Sequence, residues 1–167
     1  CFLYYEPRTG HGSSLSPGVH ALVAARLGLA ATAERYLEQT AEIDLGNSMG
    51  NSAGGVHAAA MGSLWQAVVL GVGGVRPAPD DEEAILIEPR LLPTWRHLGF
   101  PLSWRGRQLD IHVEPEGVEI AIEGRTPLPV RVAAPEGPPR EALAEPGLRY
   151  AARRRDAGFG PWEEIRS

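Results

Sequence analysis

Leu109-Asp110-Ile111-His112-Val113-Glu114-Pro115-Glu116-Gly117-Val118-Glu119-Ile120-Ala121-Ile122 decides how the second half of this chain folds. Leu109, Ile111 and Val113 alternate with Asp110 and His112. Successive side chains of a strand point to opposite faces, so this spacing predicts a half-buried strand. Val118, Ile120 and Ile122 repeat the pattern against Glu119 and Ala121. Between the two runs, Pro115 presets φ and Gly117 accepts a positive φ, which is turn chemistry. The whole stretch therefore predicts a β-hairpin.

Working outward, Phe100 to Trp104 reads as a neighbouring strand, with Arg105-Gly106-Arg107 as the turn between. Ile85-Leu86-Ile87 is a short apolar strand, and Val130 and Val132 mark another. Pro127 and Pro129 place that last strand at a sheet edge, where a missing N–H costs least. Several short strands joined by tight turns predict a small antiparallel sandwich. Beyond about residue 134, Pro135, Pro138, Pro139 and Pro146 interrupt the pattern. Arg153-Arg154-Arg155 is the charge cluster there, and the stretch reads as a loosely packed tail.

Composition changes near residue 76. Arg76-Pro77-Ala78-Pro79-Asp80-Asp81 has the proline and acid content of a linker. Before it, Ser16-Pro17 is a helix start, with a capping hydroxyl and a proline whose missing N–H is harmless at the first position. Val19, Leu22, Val23 and Leu27 recur at helical spacing, and Gly28 is a stop. A second helix is expected from about Thr32 to Leu45, burying Tyr36, Leu37, Thr40, Ala41 and Ile43. A third is expected from about Gly55 to Leu70, with Val56, Ala60, Leu64, Ala67 and Val68 on one face. An apolar helix of this kind is normally covered by neighbours, and three partial elements cannot easily close a core alone.

The 167 residues carry 16 basic side chains, all arginine, against 21 acids, a formal charge of -5. That balance argues against a nucleic-acid-binding domain. Cys1 is the lone cysteine, which rules out an internal disulfide and a multi-cysteine zinc site. No apolar run approaches the roughly 18–20 residues of a membrane helix. His11, His20, His57, His97 and His112 show no zinc spacing, and no cofactor is expected. There is no Gly-x-Ser-x-Gly elbow after a strand. Gly71-Val72-Gly73-Gly74 follows a helix, so it is not a dinucleotide loop. Paired carboxylates of the glycosidase kind are not evident. The chain begins Cys-Phe-Leu-Tyr-Tyr without an initiator Met, which suggests part of a longer product.

Two polar clusters stand out. Arg8-Thr9-Gly10-His11-Gly12-Ser13-Ser14-Leu15-Ser16 lies directly before the first helix. Hydroxyls and backbone N–H groups at a helix start suit an anion, and His11 or Arg8 would add a cationic donor. Asn51-Ser52-Ala53-Gly54-Gly55-Val56-His57 is a second Gly-rich approach to a helix, with His57 in its first turn. Each alone fits a capped helix start with a surface loop. Two such histidine-bearing starts in one half of a chain favour a shared site.

Residues 4–16, Tyr-Tyr-Glu-Pro-Arg-Thr-Gly-His-Gly-Ser-Ser-Leu-Ser, resemble the signature of family 65 glycoside hydrolases, which include maltose, trehalose and kojibiose phosphorylases. Gly54-Gly55-Val56-His57-Ala58-Ala59-Ala60-Met61-Gly62-Ser63-Leu64-Trp65-Gln66 is similar to the family's glycine-histidine-alanine block. Val69 to Arg76 continues it, and Ile43-Asp44-Leu45 between the blocks agrees. The resemblance implies an α+β fragment: the last helices of an (α/α)6 barrel over residues 1–76, a small antiparallel β-sandwich over 77–133, and the tail over 134–167. It implies a cytoplasmic, inverting enzyme on α-linked glucose disaccharides, with inorganic phosphate as co-substrate and the remainder of the barrel as partner. Family members are often homodimers. The general acid belongs to a motif upstream of residue 1, so no catalytic residue is named. By motif match Ser13, Ser14 and His57 help hold phosphate, with His11 beside them. Gly12 stands where maltose-phosphorylase-like sequences have Asp, and Ser63 where a second Gly is usual. Phosphorylase and hydrolase both remain open on these residues. The rival reading is a non-catalytic carbohydrate-binding or interaction module using Trp104 and Trp162. Core packing is the expected use of Trp65, Trp95 and Trp104.

Overall fold

The computed structural model describes residues 1–50, 52–135, 137–156 and 158–165. The chain divides into two compact units, Cys1–Val72 and Gly73–Ser167.

In the first unit a short helix α1 (Phe2–Tyr5) runs into a 3-10 turn, Glu6–Arg8, neither of which the sequence pattern announced. Helix α2 spans Ser16–Arg26, α3 spans Ala30–Leu45 and α4 spans Ala58–Gln66. The third helix therefore begins after His57 rather than at Gly55, and Val56 is exposed. It also changes pitch, continuing as a π-helix over Ala67–Val72.

Helix α3 buries Tyr36, Leu37, Thr40 and Ile43 as expected, together with Ala33, while Ala41, also expected in the stripe, is half-buried. Helix α2 does not follow the expected stripe. Its buried residues are Pro17, Gly18, Ala21, Ala24 and Ala25, while Val19 and Leu27 are 44% and 56% exposed. Close packing explains the reversal. A Cβ on Gly18 would lie 2.1 Å from Ser63 Oγ on α4, so only a side of small residues lets α2 approach its neighbours.

In the second unit, β1 (Val75–Ala78) and β2 (Asp81–Ile87) form a hairpin where a linker was expected. Strand β1 is a sheet edge, and an edge tolerates Pro77. Asp80 in the turn is ion-paired to Arg131. Strands β3 (Leu98–Trp104), β4 (Arg107–Glu114) and β5 (Gly117–Glu123) follow the sequence closely, with Ile111 opposite Ile120 and Val113 opposite Val118. Arg105 and Gly106, at φ 46° and 79°, make the turn into β4.

Strand β6 (Leu128–Val132) is not an edge. It lies between β2 and β7 (Arg140–Ala144) in a four-stranded sheet ordered β1-β2-β6-β7. Its pairing with β2 is parallel, so this sheet is mixed rather than purely antiparallel. That interior place suits β2, whose residues Ala84 to Ile87 are all buried.

The expected loose tail is sheet as well. Strands β8 (Arg149–Arg155) and β9 (Gly158–Ile165) complete a five-stranded sheet, β3-β4-β5-β8-β9. Tyr150 sits opposite Ile120 and Ala152 opposite Val118, and Tyr150, Ala151, Ala152 and Phe159 are buried. Alanines gave no visible alternation, yet a small residue is what a central strand accepts beside Ile and Val. Arg140 Nε donates to the Phe159 carbonyl at 2.9 Å, and the Trp162 indole N–H donates to the Arg140 carbonyl at 3.1 Å, tying β7 to β9 across the two sheets. The result is an α+β chain whose paired sheets are consistent with the expected sandwich.

Candidate anion site on the helical unit

Ser13 is exposed and Ser14 half-buried in the loop before α2, and the start of that helix has no side-chain cap. Ser13 Oγ accepts the Leu15 N–H at 3.3 Å, which holds the loop in a tight hydroxyl turn. His11, Ser13, Ser14, Glu42, Ser48 and Met49 are among the residues lining a cleft of ≈ 250 Å³. Three of the four site residues expected from the sequence therefore meet in one place. His57 is not among the residues that line it.

His11 has both ring nitrogens engaged. Nε2 is 2.9 Å from Tyr36 Oη, and Nδ1 is 2.9 Å from Ser16 Oγ. Tyr36 donates its hydroxyl proton to Glu6 Oε1 at 2.8 Å, and Arg35 donates to the same oxygen at 2.7 Å. With that proton committed, Tyr36 Oη accepts from His11 Nε2–H, and Nδ1 accepts from Ser16. This assigns the neutral Nε2–H tautomer. Burial, and then the nearby His20, hold the His11 pKa below its ordinary value. His11 thus spends its ring on ordering the serine loop over α3, rather than presenting a cationic donor. Arg8 is similarly occupied, donating to the Tyr4 carbonyl at 2.7 Å while its guanidinium stacks 4.2 Å over the Tyr4 ring.

His57 is the N-cap residue of α4 and is gripped at two points by Asp44, near the end of α3. Asp44 Oδ2 accepts the His57 backbone N–H at 2.9 Å, and Oδ1 accepts the Nδ1 proton at 2.6 Å. The Asp44 side chain is 8% exposed and that of His57 18%. The hydrogen bond from His57 lowers the Asp44 pKa. Asp44 and Tyr36 carry much of this arrangement, yet the sequence marked Tyr36 only as a core residue and Asp44 only as part of a family match, not as site residues. One sign for Asp44 lay in its placing. A carboxylate in the last turn of a helix opposes the helix dipole, so it calls for a compensating partner.

These groups have a common pH behaviour. Tyr36 and Arg35 lower the Glu6 pKa, His57 lowers that of Asp44, and Arg131 lowers that of Asp80. A lowered carboxyl stabilises the fold above its unfolded pKa and loses that stabilisation as pH falls through its folded one. His11, also lowered, disfavours folding once the unfolded chain takes up its proton. The thermal midpoint should be flat near neutrality, decline below the ordinary histidine value of 6.5 and fall faster below the ordinary Glu value of 4.5. Calorimetric melts at a series of pH values would check this, and a midpoint that rises on acidification would refute it.

Of the tryptophans, Trp65 is 48% exposed on α4, contrary to the core use expected for it. Trp104 and Trp162 are half-buried, and each donates its indole N–H to a backbone carbonyl, of Glu83 and Arg140 respectively. Among the described residues no group of three or more His, Cys, Asp or Glu could hold a metal ion, and no helix is long and apolar enough to cross a membrane.

Comparison with known proteins adds the family. Residues 1–66 match the model of the glycosyl hydrolase family 65 central catalytic domain, and residues 79–134 match that of the family's C-terminal domain. A kojibiose phosphorylase of Halothermothrix orenii is 39% identical over 118 residues, 71% of this chain and 15% of its own length. The kojibiose phosphorylase of Escherichia coli is 38% identical over 77% of this chain and 16% of its own length. An alpha,alpha-trehalose phosphorylase of Thermoanaerobacter brockii is 36% identical over 76% and 16%. A solved kojibiose-phosphorylase-like chain from the human microbiome superposes with a TM-score of 0.76 at 26% identity, covering 92% of this chain and 20% of that one. The chain thus spans about a sixth of the length of the curated relatives it matches. Two consecutive domain models of one family, in the family's order, account for most of the chain, which belongs to glycosyl hydrolase family 65.

Proposed function

We propose that this chain is the C-terminal part of an inverting α-glucoside phosphorylase and supplies the phosphate-side wall of its active site. The observation that carries the reading is the pair Ser13 and Ser14 at the uncapped start of α2, open to a cleft rather than buried in the fold. Hydroxyl and N–H donors at a helix start, with the positive end of the dipole behind them, favour an oxyanion. His57 adds a donor at the start of α4. The general acid belongs to the polypeptide upstream of residue 1. Phosphate attacks the anomeric carbon as the acid protonates the leaving sugar oxygen, and β-glucose 1-phosphate results.

The helices of this unit are the last of an (α/α)6 barrel, and residues 73–167 form its structural β-domain. Leu3, Tyr4, Tyr5, Leu27 and Trp65, between 48% and 75% exposed, support that reading, because the remaining barrel would cover apolar surface of this size. The chain alone is inactive on this account.

The test uses the complete polypeptide with kojibiose, trehalose, maltose and nigerose, each with and without phosphate, resolving free glucose from β-glucose 1-phosphate. Phosphate-dependent glucose 1-phosphate is the expected result. Free glucose released at the same rate without phosphate would make the enzyme a hydrolase, the alternative that Gly12 and Ser63, as departures from the phosphorylase pattern, leave open. A binding module built on Trp104 and Trp162 is less well supported, since both indole N–H groups are spent on backbone carbonyls.

A further inference from the structure

His57 was expected as a phosphate ligand, but its usefulness as one depends on how its ring is held. Nδ1 is committed to Asp44 Oδ1 at 2.6 Å. Asp44 Oδ2 is committed to the His57 backbone N–H at 2.9 Å. A carboxylate that grips both the main chain and the ring of one residue fixes the ring's position and its tautomer together. Among the described residues Nε2 has no hydrogen-bond partner, so it is the ring nitrogen left to meet a ligand. The pair is largely screened from water, at 8% and 18% exposure, which keeps the Asp44 charge effective at the ring.

We infer that Asp44 is a positioning residue for anion capture: it directs His57 Nε2 at the ligand and compensates the positive charge the ring gains there. This rests on the reading of the site as a phosphate site. With Nδ1 donating its proton to Asp44, Nε2 presents a lone pair. A dihydrogen phosphate ion brings a P–OH proton to that lone pair. When the proton passes to Nε2, the ring becomes an imidazolium that donates from both nitrogens, to Asp44 behind and to the hydrogen phosphate dianion in front. Proton and charge balance without any further reactant. A neutral amide behind the ring would leave that positive charge uncompensated.

The charged group facing the His57 ring is Asp44 on α3. Glu42, on the same helix, and the neutral His11 line the neighbouring cleft. Glu42 repels an anion in both the wild type and an Asp44 variant, so it does not imitate the effect of Asp44.

The experiment is steady-state phosphorolysis by the complete enzyme, varying phosphate and disaccharide independently, for the wild type, Asp44→Asn, Asp44→Glu and His57→Ala. Asparagine keeps the shape and an acceptor for Nδ1–H but turns its NH2 group toward the His57 backbone N–H, so some loss of melting temperature is expected and melting curves establish that the variant is folded. In Asp44→Asn, KM for phosphate should rise about 10–100-fold, the range seen when the carboxylate behind a ligating histidine is lost. KM for the disaccharide should stay within about threefold, a change too small to signal a lost ligand. The alkaline limb of kcat/KM for phosphate should move to lower pH, because the imidazolium has lost its counter-charge. Asp44→Glu should recover part of both effects. An Asp44→Asn enzyme with wild-type KM for phosphate and an unmoved pH profile would overturn the inference while His57→Ala still reports on the site. Equal rises of both KM values, with a lowered melting point, would also overturn it and leave Asp44 structural. A wild type that needs no phosphate would remove the underlying reading, and is seen before any variant is compared.

Discussion

Replacing Gly74 by alanine should cost the β unit most of its stability. Gly74 has φ +71°, a left-handed conformation that costs a side-chain-bearing residue roughly 1–2 kcal/mol. The larger effect is steric. A Cβ there would lie 1.9 Å from the Glu88 carbonyl oxygen and 2.3 Å from its carbonyl carbon, and both are backbone atoms with no rotamer to escape into. Gly74 O also accepts the Glu88 N–H at 3.1 Å, so a shift that relieves the clash breaks the bond closing the β1–β2 end. Glu88 in turn pairs with Arg76 at 3.1 Å and Arg90 at 2.7 Å. Strain and lost bonds together should remove about 3–5 kcal/mol, among the larger single-residue effects. Hydrogen exchange of the β4 and β5 amides in the complete polypeptide reads this directly, as a loss of protection of about 10²–10⁴-fold. Gly106→Asn is the control. Its φ is +79°, but nothing lies within 4 Å of the added Cβ, so only the conformational cost applies. If the two substitutions cost the same, the contact with Glu88 does not matter.

Replacing His57 by alanine should reduce kcat/KM for phosphate about 10²-fold or more in the complete enzyme, the usual consequence of losing a charge-assisted donor at an oxyanion. The melting point should fall much less. Ring removal leaves Asp44 Oδ2 with the backbone N–H of residue 57, so the α3–α4 join keeps one of its two bonds. It does strand Oδ1, but removing the ring leaves room beside that oxygen for a water in its place. Ser14→Ala should act in the same direction and more weakly, since a neutral hydroxyl contributes less than a charged donor. Parallel loss of activity and stability in His57→Ala would make the residue a helix-capping element and nothing more.

Much of the architecture was legible because it rests on local periodicity. The β3–β4–β5 meander came directly from alternation, the body of α3 from helical spacing, and the start of α2 from Ser16-Pro17, although Ser16 is the first helical residue and spends its hydroxyl on His11 rather than capping the helix. The misses share one cause. Strands β7 and β8 and the buried side of α2 are built largely from Ala, Gly and Arg, residues whose hydrophobic contrast is too weak to produce a period, and β9 breaks its own alternation with Gly158, Gly160 and Pro161. Pro129 pointed to an edge, but β2, apolar on both faces, needed a partner on its far side and took β6 in parallel.

The site divides along the same line. Ser13, Ser14, His11 and His57 were visible as residue types near glycine-rich helix starts, and their motifs marked the family. The sequence by itself picked out the groups proposed to meet an anion. Their hydrogen-bond partners were decided by contacts between residues far apart in the chain. Tyr36 and Glu6 fix which ring nitrogen of His11 carries the proton, thirty residues separating the two that share a hydrogen bond. Asp44 reaches thirteen residues forward to orient His57. Hydrogen bonds of this kind depend on distances of a few tenths of an ångström between separate helices, and only packed tertiary structure specifies those.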